Sequence, residues 1–286
     1  MKGNIATIGF FDGVHRGHQY LFEQLRNQAA EHGLQPLIIT FQQHPRSILQ
    51  RDYQPQLLTP DIERIELLRE QNNGQVEVFD FSQIQALTAK EFMILLSSKY
   101  NVSALLMGYD HSFGSDRLRH IYDYKRIGQE TGIEVIPAKE LTDNEFHISS
   151  TEIRSALNYG NIVLANQLLG RPYSISGKII HGKALGRTIG FPTANLCPSD
   201  SRQLLPKSGV YAGRMMDKKV IANIGTNPTI GNDQLSIEVH IPGFNGDLYG
   251  SQQTIVFERF IREERKFSSL LSLRRQIHDD LSVIGF

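Results

Sequence analysis

The sequence predicts an α/β domain built on a parallel sheet, followed by a small antiparallel β-barrel that ends in a helix. Three observations predict it. Short apolar runs of strand type alternate with helical spacers through the first half of the chain. After Gly170-Arg171-Pro172 the texture changes, and short β-rich runs recur between Gly, Pro and Asn. The length of 286 residues fits two domains at roughly 150 residues each. The expected domains are therefore 1–170 and 171–286.

The elements follow in order. Ile5 to Phe11 reads as a strand, and Asp12-Gly13 as a turn. Residues 17–31 have helical spacing, with Tyr20, Leu21, Phe22 and Leu25 on the apolar face and Gly33 as the stop. Leu37 to Phe41 is a second strand and completes a β-α-β unit. Thr59-Pro60 opens the next helix, as an N-cap followed by proline, with Ile62, Ile65, Leu67 and Leu68 behind it. Val76 to Phe81 reads as a strand, Ala89 to Tyr100 as a helix and Ala104 to Met107 as a strand. A helix near 119–131 and a strand from Glu134 to Ile136 follow. Such a succession puts helices on both faces of the sheet through right-handed crossovers. Ser149 and Glu152 have capping-box spacing for a helix over 149–158, and a second helix over 162–169 stops at Gly170. The barrel strands are Tyr173 to Ile180, Val210 to Arg214, Val220 to Ile224, Ser236 to Ile241 and Thr254 to Phe260. Leu270, Leu273, Ile277, Leu281 and Ile284 share one face of a last helix over 268–284.

Composition narrows the function. Lys+Arg and Asp+Glu both number 30, so the formal charge is zero. A dedicated nucleic-acid or membrane-surface binder would carry a basic excess. Cys197 is the single cysteine, which excludes an internal disulfide and a zinc site built on several cysteines. The N-terminal apolar run is broken by Asp12, His15, Arg16 and His18, unlike a signal peptide. No run approaches the ~18 apolar residues of a membrane span. A cytoplasmic protein with no nucleic-acid or membrane partner is expected; the oligomeric state is left open.

Two places carry candidate chemistry. GFFDGVHRGH sets glycines and the pair His15/His18 between the first strand and its helix. Ligands of open α/β sheets sit at the carboxyl ends of strands, and a helix N-terminus favours phosphate. Imidazoles there can donate to phosphate oxygens as charge develops. One such histidine alone reads as a surface residue in a polar turn; the pair in this setting points to function. ISSTEIR, with Ser150, Thr151 and Arg154, is a second helix start that serves equally as a cap or as a phosphate grip. The segment 177–196 is rich in glycine and contains Lys183 and Arg187. Its backbone can approach phosphates, or simply make barrel turns. Thr193 and Asn195, two apart, point the same way on an extended segment and carry hard oxygens that suit Mg²⁺. Glu238 lies in an alternating strand, as an ordinary exposed-face residue or as a base.

GFFDGVHRGH, TFQQHP, GYDHSFG and ISSTEIR together resemble the adenylyltransferase module of bacterial bifunctional riboflavin kinase/FAD synthetases, of the HxGH nucleotidyltransferase superfamily. HGKALGRTIGFPTAN, GVYAG, NIGTNPT, EVHIPGFNGDLYG and FIREERKF resemble the riboflavin kinase module of the same family. The resemblance implies a Rossmann-like domain with a parallel sheet and a six-stranded antiparallel barrel. It implies that riboflavin is phosphorylated to FMN by ATP, and that FMN is then adenylylated to FAD with release of pyrophosphate. His15 and His18 would contact the ATP phosphates, beside Gly9, Phe10, Asp12 and Gly13. Ser150, Thr151 and Arg154 would hold the phosphates from the opposite side. His44, Pro45 and Asp110 would lie near the flavin and nucleotide pockets. In the kinase module, Gly182, Lys183, Gly186 and Arg187 would wrap ATP, and Thr193 and Asn195 would hold Mg²⁺. Glu238 would take the proton of the ribityl 5′-hydroxyl, with Tyr249 and Arg262 near the flavin and flap. The chain departs from the family pattern at Gln42-Gln43, His111, Leu118 and Ile189. Two other readings stay open: a kinase with a slow or altered adenylyltransferase module, and a flavin-binding regulator.

Overall fold

The computed structural model describes residues 3–50, 52–73, 75–108, 111–141, 147–182, 185–226 and 235–286. The chain divides into two compact units, Met1–Ser149 and Ser150–Phe286.

The first unit contains β1 (Asn4–Ile8), α1 (Arg16–His32), β2 (Gln35–Phe41), α2 (Pro45–Leu49), α3 (Asp61–Gln71), β3 (Val76–Phe79), α4 (Phe81–Ile84), α5 (Ala89–Tyr100), β4 (Val102–Met107), α6 (Ile121–Thr131) and β5 (Glu134–Pro137). The strands form one parallel sheet in the order β3-β2-β1-β4-β5. Neighbouring strand residues face opposite sides, so each strand feeds two cores. Ala6, Ile8, Leu37 and Ile39 pack with Phe92, Met93, Leu96 and Tyr124 from α5 and α6. Ile5, Ile38, Ala104 and Leu106 pack with Phe22, Leu25, Ala29 and Leu68 from α1 and α3. Burying a side chain such as Phe22 or Leu25 contributes about 1.5–3 kcal/mol. The strand order runs outward from β1 to one side and then returns to the other. This opens a crevice at the carboxyl ends of β1 and β4.

Two strands are shorter than the apolar runs suggest. β1 stops at Ile8; Phe11 is left-handed (φ 57°) and Asp12–Val14 form a 3₁₀ turn. The run Val76 to Phe81 ends as a strand at Phe79 because Asp80 caps α4 through the Ser82 N–H (2.9 Å). At α3 the cap position falls on Pro60 rather than Thr59. Gly33 (φ 67°) and Gly170 (φ 73°) close their helices as expected.

The second unit contains α7 (Ser150–Asn158), α8 (Ile162–Leu169), β6 (Tyr173–Ile180), α9 (Leu185–Thr188), β7 (Thr193–Pro198), β8 (Gly209–Met215), β9 (Lys218–Thr226), β10 (Leu235–His240), β11 (Gln252–Arg262) and α10 (Leu270–Val283). Its strands close a barrel in the order β10-β7-β6-β11-β8-β9, with antiparallel pairing throughout. β7 is the strand that the sequence pattern did not isolate, being bounded by Pro192 and Pro198. On β10, Ile237 and Val239 are fully buried, and Glu238 and His240 occupy the other face.

The division between units lies about 20 residues before the expected boundary at Gly170. α7 and α8 are tied to the barrel. Asn166 donates to the Phe257 carbonyl (2.9 Å) and accepts from the Tyr173 N–H (2.7 Å), and the Lys207 N–H donates to the Leu157 carbonyl (3.0 Å).

Candidate active sites

The histidine turn of the first unit follows directly from the early end of β1. Phe11, Gly13 (φ 79°) and Val14 (φ 43°) are all left-handed. Two of them carry side chains, and such residues cost on the order of 1–3 kcal/mol each, a strain that concentrates at functional sites. His15 then caps α1, its Nδ1 accepting the His18 N–H at 3.4 Å. The His15 and His18 rings stack, with centroids 3.6 Å apart and planes 20° apart. Gly17 permits this, since a Cβ there would stand 3.2 Å from the His15 ring.

His18 also meets Phe11 edge-on at 5.2 Å. Its Nδ1 is buried with no hydrogen-bond partner among the described residues, although part of the side chain stays open. Burial, and then the neighbouring His15, push its pKa well below the ordinary 6.5. His18 is therefore neutral at pH 7. The unfolded chain binds more protons than the folded one below about pH 6.5, so the stability held by neutral His18 declines as pH falls through that range. Thermal melts between pH 8 and 5 are expected to show this decline, and His18→Gln is expected to flatten it.

Asp12 is expected among the phosphate ligands. It is buried, and its carboxylate accepts the N–H groups of Leu58 (3.0 and 3.1 Å) and Thr59 (3.3 Å). It anchors the segment before α3. Gly9 and Phe10 line a cavity of about 540 Å³ with His44, Pro45, Phe41, Phe81, Phe113 and His111. The wall is mostly apolar, as a planar ring system requires. His44 caps α2, accepting the Arg46 N–H at 3.1 Å, and its ring meets Phe10 at 4.7 Å. His111, one of the departures noted in the sequence, lines this cavity. Asp110 lies outside the described residues. Ser150, Thr151 and Arg154 stand at the start of α7, in the second unit.

The barrel carries two cavities that share Thr193. One, of about 500 Å³, is lined by Ile179, Arg187, Thr193, Val239, Phe244 and Tyr249. The other, of about 430 Å³, is lined by Gly186, Thr193, Glu238, His240, Arg262 and Glu264, with Leu270 and Leu273 of α10. The register places Glu238 opposite Asn195 of β7 and Asn223 of β9. Asn223 donates to Glu264 at 3.0 Å. The ring of His240 bonds the Pro192 carbonyl at 2.8 Å, which fixes the approach to Thr193.

Tyr249, expected at the flavin with Arg262, lines the first cavity and stacks on His181 (centroids 3.8 Å apart). Arg262 is at the second cavity, but its guanidinium is held by Asp280 at 2.7–3.1 Å. Both partners are largely buried, so the pair locks the end of β11 to α10.

Gly182 and Gly186 have a steric reason to be glycine. A Cβ on Gly182 would overlap the Asn195 amide, and one on Gly186 would overlap the Phe191 carbonyl. Lys183 lies outside the described residues, as does part of the NIGTNPT motif. No cluster of three or more His, Cys, Asp or Glu suited to a metal occurs among the described residues. Thr193 and the buried Asn195 offer a hydroxyl and an amide oxygen beside the glycine loop. That sparse, hard donor set suits Mg²⁺, which keeps waters and takes its other ligands from phosphates. Gly182→Ala is expected to displace the Asn195 amide and weaken Mg²⁺-nucleotide binding by about 10-fold or more, with the melting temperature little changed.

Sequence reasoning did not single out Arg64, Asn223, His240, Glu264 or Asp280. Asn223, His240 and Glu264 fall within the motifs NIGTNPT, EVHIPGFNGDLYG and FIREERKF, whereas Arg64 and Asp280 lie outside every quoted motif.

A parallel α/β unit with a histidine turn at its ligand end, joined to a barrel with two adjoining cavities, defines a two-part transferase. Residues 1–152 match the FAD synthetase family model and residues 169–285 match the riboflavin kinase model. The bifunctional riboflavin kinase/FMN adenylyltransferase of Escherichia coli K12 is 37% identical, over 100% of this chain and 93% of the relative. That of Bacillus subtilis is 36% identical, over 97% and 90%. A Streptococcus pneumoniae crystal structure described as a macrolide-efflux protein superposes with a TM-score of 0.87 at 34% identity, over 99% of this chain and 93% of that one. The described residues of the present chain contain no helix long and apolar enough to cross a membrane. The chain belongs to the family of bifunctional riboflavin kinases/FMN adenylyltransferases.

Proposed function

We propose that the family's two reactions are divided between the units: the barrel phosphorylates riboflavin and the parallel-sheet unit adenylylates FMN. The observation that carries the first half is the pair of cavities meeting at Thr193. ATP occupies the 500 Å³ cavity, with Arg187 and the glycine loop on its phosphates. Riboflavin occupies the 430 Å³ cavity. Glu238, on the wall of that cavity, accepts the proton of the ribityl 5′-hydroxyl as its oxygen attacks the γ-phosphorus, and ADP leaves. Thr193 and Asn195 would hold Mg²⁺, which supplies charge neutralisation on the phosphates when bound.

In the other unit, the isoalloxazine of FMN occupies the 540 Å³ cavity beside Gly9 and Phe10. The FMN phosphate attacks the α-phosphorus of ATP and pyrophosphate leaves. His15 and His18 donate to the phosphate oxygens where charge builds; positioning and charge stabilisation are sufficient, with no covalent intermediate.

Product chromatography tests the reading. Incubation with riboflavin, ATP and Mg²⁺ is expected to yield FMN and then FAD, and incubation with FMN is expected to yield FAD. FMN without FAD from either start would leave the chain a kinase with an inactive first unit.

A further inference from the structure

Arg64 is the largest fully buried side chain among the described residues, and it lies in none of the quoted motifs. It projects from α3 into the carboxyl ends of β1 and β2. One guanidinium nitrogen donates to the Phe10 carbonyl (2.8 Å) and the Thr40 hydroxyl (2.6 Å). Another donates to the Phe41 carbonyl (2.7 Å) and to Asp61 (3.2 Å). The Thr40 hydroxyl in turn reaches the Phe10 carbonyl at 3.3 Å. The guanidinium also covers the Phe10 ring, 4.0 Å from its centroid.

A buried cation is costly to desolvate, and an apolar side chain could fill the same volume more cheaply. What an apolar side chain or a lysine cannot do is hold two strand-end carbonyls and one aromatic face at once. That takes a planar fork with several fixed donors. Both residues so held, Phe10 and Phe41, line the 540 Å³ cavity, and Phe10 also touches His44 on its wall.

We propose that Arg64 is a positioning residue for the flavin of FMN in the adenylyl transfer. It acts through Phe10, whose ring it sets as part of the flavin-facing wall. The inference rests on the assignment of that cavity to the flavin. A positioning role in one substrate's pocket moves the KM of that substrate; a role in folding alone does not.

The test is steady-state adenylyl transfer by the full chain with FMN and ATP·Mg²⁺. The variants are Arg64→Lys, Phe10→Leu, their double variant and Thr40→Val. Riboflavin phosphorylation by the same preparations controls for intact protein. Arg64→Lys and Phe10→Leu are each expected to raise KM for FMN about 10-fold, with KM for ATP and kcat within about 3-fold of wild type. The double variant is expected to match the larger single effect, because both changes disturb one element. Thr40→Val, an isosteric change in the same network, is expected to raise KM for FMN by a smaller factor and decides the matter if Arg64→Lys does not fold. If Phe10→Leu leaves KM for FMN unchanged, the cavity assignment fails. If Phe10→Leu raises it while Arg64→Lys and Thr40→Val only lower the melting temperature, or the effects multiply in the double variant, the role given to Arg64 is overturned.

Discussion

Glu238→Gln is expected to lower FMN formation from riboflavin by about 10²–10⁴-fold, the range usual for loss of a general base. FAD formation from supplied FMN is expected to stay at the wild-type rate. The glutamine keeps the size and a hydrogen-bonding oxygen but cannot take the ribityl proton. Glu238 lies on the outer face of β10, with Ile237 and Val239 carrying the core on the other face, so the barrel tolerates the change. The loss should fall on kcat, with the KM values for riboflavin and ATP moved far less. Rates by product chromatography on a folded variant check it. Equal impairment of both reactions would show that Glu238 is not confined to one site.

His18→Ala is expected to give the opposite pattern. Loss of one donor to a developing phosphate charge costs about 10²–10³-fold in rate. Adenylylation of FMN should fall by that factor, and riboflavin phosphorylation should continue, so FMN accumulates. The stacked partner His15 loses its neighbour, yet it keeps its place as the cap of α1. The same chromatographic assay, started from riboflavin and from FMN, separates the two outcomes.

Much of this was readable from residues alone, for physical reasons. Helices with glycine stops, such as Gly33 and Gly170, declare themselves because only the left-handed conformation ends them so sharply. Apolar runs marked the strands of both units, but they overran where a polar or strained residue takes the backbone away. Phe11 and Asp80 are the two cases. Some motif residues line cavities, Gly9, Phe10, His44 and Pro45 in the first unit and Arg187, Thr193 and Glu238 in the barrel, whereas the His15/His18 pair lines none of them.

What the pattern could not show was direction. Asp12 sits inside a phosphate motif but turns its carboxylate to the backbone of Leu58 and Thr59. Tyr249 and Arg262 belong to neighbouring motifs, yet they face different cavities. Arg64 reads as an ordinary charged position of an amphipathic helix, and only the packing of α3 reveals a buried cation. The unit boundary moved for the same kind of reason. α7 and α8 look like the tail of the first domain until Asn166 is seen bonded to β6 and β11.

On the proposed division of labour, two separate sites, one in each unit, perform successive reactions on one flavin. A complementation assay is the decisive experiment. Riboflavin, ATP and Mg²⁺ are given to the Glu238→Gln protein, to the His18→Ala protein and to an equal mixture of the two. Almost no FAD is expected from either variant alone, and FAD from the mixture, by way of FMN released from the His18→Ala protein. A mixture that makes no FAD, from folded variants whose wild-type parent makes it, would show that the two reactions do not have separable sites.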